Sequence, residues 1–444
     1  MTMNKAGRAS LVMIMALLIG ILAACSQTKE NAAGSQTPDS NTPSAQASES
    51  AETQSPTKKE KVTLEFFSNT SGGTLEAYQR IVDKFNQENP DIFVELTPQS
   101  KDYEALMNAK MATNDLPDLW NTHGWSVHKY SEYLRPLNDQ PWASKLVNEI
   151  KPIVTDSAGN VYVLPFDVDI SGMLYNVKIL QELNITVPET WEQFLAACEV
   201  IKNAGYTPIA IGGKDTGDVA GFLGRVAPSF LTQDASVEYK DELKDGSFDW
   251  SHFDEVSKFI LQLRDKGYYN VDYLTADKQA VYKGFAENKV AFAFQANNSI
   301  FQVLQLNPDA QISMMRIPVN NGSPFLISGE RDAIGIWKDT EHEEEALKFL
   351  TYMSQPENVS QIAEAYSIPA ALTDVQVNLG DLEEVFSKFS DVPVTNNFDR
   401  EYLPNGMWNT LKVVGPGLLS GELNVENASR AMKTDYDRLR ASAQ

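Results

Sequence analysis

Two aspartates, Asp167 and Asp169, stand one residue apart in Phe166-Asp167-Val168-Asp169-Ile170. On extended backbone, alternation puts both side chains on one face. Such a pair can accept hydrogen bonds from ligand hydroxyls. It can also serve glycoside hydrolysis, since neighbouring positions of this kind match the carboxyl separation of roughly 5–10 Å that the reaction uses. A second constellation is Asn121-Thr122-His123-Gly124-Trp125. Asn121, Thr122 and His123 offer donors and acceptors, and Trp125 offers an aromatic face for apolar C–H surface. The alternative is a polar loop with Trp125 plugging a core. His128 follows His123 without a carboxylate pattern, so a metal site is not expected. Arg331 and Asp332 can make planar hydrogen bonds to hydroxyls, or simply pair with each other. Asn297 and Asn298 follow an apolar run and read as a ligand contact or a plain turn. The polar loop from Ser68 to Gly73 adds Asn69 and Ser71.

The elements that must position these residues alternate between strand and helix. Val62–Phe67 is rich in β-branched and aromatic residues and predicts a strand. Leu75, Tyr78, Ile81, Val82 and Phe85 then recur at helical spacing. Ile92–Leu96 predicts the next strand, Tyr103–Met111 a helix, and Leu119-Trp120 a short strand. Thr190-Trp191-Glu192-Gln193 has the pattern of a capping box. The helix it starts turns Phe194, Leu195, Cys198 and Ile201 inward, and Tyr206–Ile211 is the strand after it. Val290–Phe294 and Ala333–Trp337 are apolar runs of strand length, and the C-terminal third is mostly helical. This alternation predicts an α/β fold with ligand crevices at the carboxyl ends of strands. Trp191 reads as structural at a helix start, Trp337 as a core residue, and Cys198 as a buried, inert thiol.

The chain has 444 residues, a formal charge of −23 and two cysteines. Acidity on this scale repels nucleic acid and anionic lipid headgroups. No P-loop, dinucleotide glycine fingerprint, zinc-ligand spacing or nucleophile elbow occurs. Residues 1–24 read as a secretory signal, with Lys5 and Arg8 ahead of an apolar stretch from Leu11 to Leu22. Leu22-Ala23-Ala24-Cys25 looks like a bacterial lipoprotein box, which makes Cys25 the lipidated residue and leaves Cys198 unpaired. Residues 25–61 read as a tether, because Ser26 to Lys61 lacks the large apolar residues a core needs.

In order along the chain stand Phe85-Asn86-Gln87-Glu88-Asn89-Pro90, Leu116-Pro117-Asp118-Leu119, and Tyr162-Val163-Leu164-Pro165-Phe166 with Leu174-Tyr175-Asn176. Val187-Pro188-Glu189-Thr190-Trp191, Ala346–Leu350 with Ser354–Asn358, and Ile368-Pro369-Ala370 follow. Together they resemble the extracellular solute-binding proteins of carbohydrate ABC transporters, the maltose-binding type. The resemblance implies a two-lobed, periplasmic-binding-protein-like α/β fold with the ligand cleft between the lobes. One lobe would comprise 62–168 and 330–372, the other 170–324 and 373–444, with crossings near Asp167–Ser171 and Phe325–Gly329. It implies a ligand-binding acid at Asp169 and a cleft aromatic at Trp408, for which core packing under the last helix is the alternative. At Asn297-Asn298 the sequence departs from the family, with asparagine where an aromatic often stands. The implied function is capture of a sugar or oligosaccharide for ABC permease subunits, by a monomer without catalysis, cofactor or metal. Its place would be the outer face of the cell membrane, held by lipid at Cys25. A lipoprotein glycosidase and a binding protein for a polyamine or peptide are the rival readings.

Overall fold

Val62 to Ser68 alternates inward and outward side chains and forms β1 (Val62–Ser68), with Leu64, Phe66 and Ser68 buried. The computed structural model describes residues 61–99, 103–122, 127–380, 382–388, 392 and 394–442. The helix Gly72–Glu88 follows β1, burying Thr74, Ala77, Tyr78, Ile81, Val82 and Phe85 as one stripe. It carries the chain back to β2 (Ile92–Pro98), which pairs with β1 in parallel, as parallel neighbours need a crossover. β3 (Leu119–Asn121) and β4 (Val163–Pro165) complete the first pass. The next strands are β5 (Asp169–Asn176), β6 (Thr207–Ile209), β7 (Val290–Ala296), β8 (Ile312–Met315) and β9 (Leu326–Gly329). β10 (Ala333–Ile336) and β11 (Val394–Thr395) are the last.

These strands form two sheets, ordered β2-β1-β3-β10-β4 and β11-β9-β5-β7-β6, with β8 also pairing to β5. The fold is therefore α/β with two lobes, and the chain passes between the sheets at Phe166–Val168 and again at Glu330–Asp332. It returns to the second sheet at β11 after the helices Glu343–Met353 and Pro356–Tyr366. Gly172 is demanded by the packing of β5 and β8, since a Cβ there would sit 2.6 Å from the Met315 carbonyl oxygen.

The buried apolar side chains form two clusters, and β5 separates them. Leu174 and Ala293 belong to the first, which continues through Ile170, Val168 and Phe166 into the first sheet. Met173, Phe292 and Phe294 belong to the second, with Trp191, Phe194, Leu411 and Leu418. Apolar contact thus runs through the first crossing rather than stopping at it. Trp191 is buried, with its indole nitrogen donating to Ser229 Oγ at 3.0 Å. Cys198 is fully buried, and burial pushes its thiol up. Trp337, expected in the core, is only partly buried and packs against the first cluster from its edge.

The helix Trp191–Asn203 begins with the predicted capping box, Thr190 and Gln193 bonding reciprocally. Other boundaries moved by a few residues. The strand expected over Tyr206–Ile211 is shortened to Thr207–Ile209. Asn297 and Asn298 form no isolated turn; Asn297 stands at the N-cap position of the helix Asn298–Leu306 without a side-chain capping bond. Among the described residues, no helix is long and apolar enough to cross a membrane.

Candidate functional site

Asp167 and Asp169 are expected in the first crossing, and the backbone places Asp167 there, bridging antiparallel to Ala370. β4 ends at Pro165 and β5 begins only at Asp169, so Asp167 lies in the crossing itself. There it is fully buried, and its Oδ1 accepts the Arg331 backbone N–H at 2.7 Å, tying the two crossings together. Burial lifts its carboxyl well above the usual range, against the pull of that N–H. Asp169 instead keeps a side chain 20 % exposed and approaches Arg331 at 4.0 Å.

Three consecutive residues of the second crossing turn three ways. Glu330 pairs with Arg400, at 3.7 Å, in the helix Phe398–Tyr402 of the second lobe. Arg331 lies over the Tyr366 ring, 4.9 Å from its centroid, while reaching Asp169 across to the second sheet. Burial works against the Arg331 charge, but Asp169, Tyr366 and Asp167 hold its pKa above the ordinary value. Asp332 points down into the first lobe, where Asn121 donates to its Oδ1 and the Tyr366 hydroxyl to its Oδ2 at 3.3 Å. Burial is the main cause that raises the Asp332 carboxyl to about 8.

The expected site residues therefore divide. Asn121, Asp167, Asn297 and Asp332 are fully buried and bonded within the protein. Asn297 donates from Nδ2 to the Val168 carbonyl at 3.2 Å and from its backbone to Ile170 at 2.8 Å, bracing the first crossing from the second lobe. Thr122 is nearly buried and its backbone N–H bonds Ala333 O at 2.9 Å. Asp169 and Arg331 are brought together beside these braces. Asn69 and exposed Ser71 stand apart, just past the carboxyl end of β1, and half-buried Asn298 opens its helix. Trp408 occupies the first turn of the helix Met407–Ser420, half-buried against the second cluster. His123, Trp125, Cys25, the 1–24 segment and all of the 25–61 tether but its last residue lie outside the described residues.

Several polar atoms at the crossing are buried without a protein hydrogen-bond partner: Thr122 Oγ1, Asp167 Oδ2, Asp169 Oδ1, Asn297 Oδ1 and Arg225 Nε. Buried polar atoms are rarely left so, and a cluster of them marks a place where hydroxyls or water bind. Arg225, on the helix Thr216–Val226, and Tyr366 were not singled out from the sequence. Each sits on an ordinary helix and acquires meaning only from partners distant in the chain: Ser171 for Arg225, and Asp332 for Tyr366.

A cavity of about 580 Å³ opens between the lobes, lined by Asn108, Lys129, Arg400, Tyr402 and Asn405 among others. Its volume is in the range of small-molecule sites. Two polar contacts join the lobes along it, Lys129 Nζ to Asp399 O at 2.9 Å and Asn405 Nδ2 to Asn108 Oδ1 at 2.6 Å. Burial lowers the Lys129 pKa. Neither Asp169 nor Arg331 lines this cavity, and their chemistry makes the crossing the stronger candidate. No cluster of three or more His, Cys, Asp or Glu suited to a metal occurs among the described residues.

Known proteins resemble this chain in sequence and fold. The chain is 34% identical over 390 residues to the melibiose/raffinose/stachyose-binding protein MelE of Bacillus subtilis, covering 86% of this chain and 91% of the relative. A crystal structure of a Bacillus subtilis binding protein, MsmE, in an open conformation is 33% identical with a TM-score of 0.81, covering 87% of this chain and 100% of that one. A Bacillus licheniformis sugar transporter protein in complex with stachyose is 33% identical with a TM-score of 0.74, covering 85% and 100%. Residues 71–360 match the family described as bacterial extracellular solute-binding protein. On the extent of that match and of the similarity to MelE, this chain belongs to the bacterial extracellular solute-binding protein family.

Proposed function

We propose that this protein binds a neutral oligosaccharide of the melibiose, raffinose and stachyose class between its two lobes and delivers it to the permease subunits of an ABC importer. The observation that carries the reading is the similarity to MelE along nearly the whole chain. The crossing supports it chemically. A sugar hydroxyl both donates and accepts, and Asp169 accepts where Arg331 donates. On this reading, exposed Ser71 and half-buried Asn69 and Trp408 add contacts toward the mouth of the cleft, Thr122 adds one from the crossing, and His123 and Trp125 are further ligand contacts. Asn121, Asp167, Asn297 and Asp332 hold the crossing in shape. The same reading has the protein bind without cleaving, act as a monomer, and sit outside the cell membrane by a lipid on Cys25.

Calorimetry on melibiose, raffinose, stachyose and a maltotriose control, with product analysis on the same samples, tests it. Binding of the galactose-containing sugars with no released monosaccharide is expected. Cleavage products would revive a hydrolase using carboxylates, and no binding to any member of the panel would remove the sugar reading.

A further inference from the structure

The second-lobe wall beside Asp169 carries an arginine in an unusual seat. Arg225 is in the last turn of the helix Thr216–Val226, and its guanidinium folds back over Gly221, one turn earlier. A Cβ on Gly221 would lie 2.6 Å from Arg225 Nη1, so the glycine is what lets the guanidinium lie there. Nη2 donates to Ser171 Oγ at 3.2 Å, and Nε is buried with no protein partner. Ser171 and Asp169 are alternate residues of β5, so their side chains share a face. Asp169 acts electrostatically on Arg331 in the crossing and, behind Asp218, on Arg225 in the second lobe. Asp169 Oδ1 is also buried and unpartnered. One donor and one acceptor, each lacking a protein partner, thus belong to neighbouring side chains on this wall.

We infer that Arg225 is a ligand-contacting, specificity-determining residue: with Asp169 it reads two adjacent hydroxyls of a single pyranose ring. One hydroxyl donates to Asp169 Oδ1, and its neighbour accepts from Arg225 Nε–H. The pair demands a neutral ring with a free vicinal diol and tolerates whatever is attached beyond it, so oligosaccharides of different length share the same recognition. Gly221 is a positioning residue that acts through Arg225. This inference rests on the proposed sugar-binding function.

Raffinose and stachyose are the probes. Arg225→Met keeps the apolar stem and removes the donor, leaving hydroxyl and carboxylate without a third partner. Affinity for both sugars is expected to fall by a similar factor of about 30, or ~2 kcal/mol, while the ligand-free melting temperature stays within about 2 °C. Gly221→Ala, which leaves Arg225 chemically intact, is expected to weaken both sugars as well. In a double-mutant cycle with Asp169→Asn, the two losses are expected to be less than additive, because both residues hold one ring. Unchanged affinity of Arg225→Met, fully additive losses, or a weakened affinity accompanied by a sharply lowered melting temperature would each overturn the inference. If the unaltered protein binds neither sugar, it is the proposed function that fails.

Discussion

Replacing Asp332 with asparagine probes the floor of the crossing through its proton. The side chain is 0 % exposed, with Asn121 donating to one oxygen and the Tyr366 hydroxyl to the other. Burial is the largest influence and outweighs the hydrogen bonding by Tyr78 and Tyr366 and the charge of Arg331, so the carboxyl rises from its ordinary 3.8 to about 8. The folded protein therefore keeps this proton between about pH 4 and pH 8, where the unfolded chain has released it. The stability that belongs to the protonated form is fully present below about pH 4 and is lost as the pH rises through about 8. At 1.36 kcal/mol for each tenfold in proton affinity, the loss is on the order of a few kcal/mol. Asparagine has the same shape, keeps the bond from Asn121 and has no proton to lose. Thermal unfolding followed by circular dichroism from about pH 5 to pH 8.5 is the assay. The unaltered protein should lose stability with rising pH more steeply than Asp332→Asn. At about pH 8.5 the variant should melt higher by roughly 4 °C, taking about 2 °C per kcal/mol for lobes of this size. Asp167, also raised by burial and further by the neighbouring Asp332 charge, is present in both proteins; losing that charge eases Asp167 in the variant and acts in the same direction. Parallel profiles, or a variant that is less stable at the alkaline end, would show that Asp332 is charged in the fold and refute the reasoning.

Three further outcomes are expected. Trp408→Ala should weaken raffinose binding at least about tenfold, ~1.4 kcal/mol, while the ligand-free melting temperature barely moves; the opposite pattern assigns Trp408 to the second-lobe core it touches. Cys25→Ala should abolish incorporation of labelled lipid and release the protein or leave it uncut, whereas normal processing and membrane retention would discard the lipoprotein reading. Saturating stachyose should reduce the radius of gyration in small-angle scattering as the lobes close on their crossings; an unchanged profile with sugar bound by calorimetry speaks against closure.

Local physics made much of the fold legible. The strand content of Val62–Phe67, the helical spacing from Tyr78 to Phe85 and the Thr190–Gln193 box each depend on neighbours a few residues away, and each formed as expected, though Thr74 rather than Leu75 is the buried residue that opens the stripe. The order of motifs along the chain likewise carried the two-lobed α/β class. The crossing was legible as a place but not as an arrangement. Alternation placed Asp167 beside Asp169, and both do face Arg331, but it could not say that one would be sealed in the crossing and the other left partly exposed. Whether an aspartate lines a cleft or braces a hinge depends on what faces it. For Asp167 that is the Arg331 backbone, 164 positions away, and for Asp332 it is Asn121, 211 away. Arg225 shows the same limit from the other side. Sequence marks it as one more helix cation, and only folding brings Ser171 to its guanidinium and leaves Gly221 beneath it. The sequence by itself determined the elements and the class of molecule, because both follow from short-range periodicity and the order of segments. Tertiary structure decided which polar residues are buried braces and which stay partly exposed, because burial and hydrogen-bond partnership are set by contacts between segments far apart in the chain.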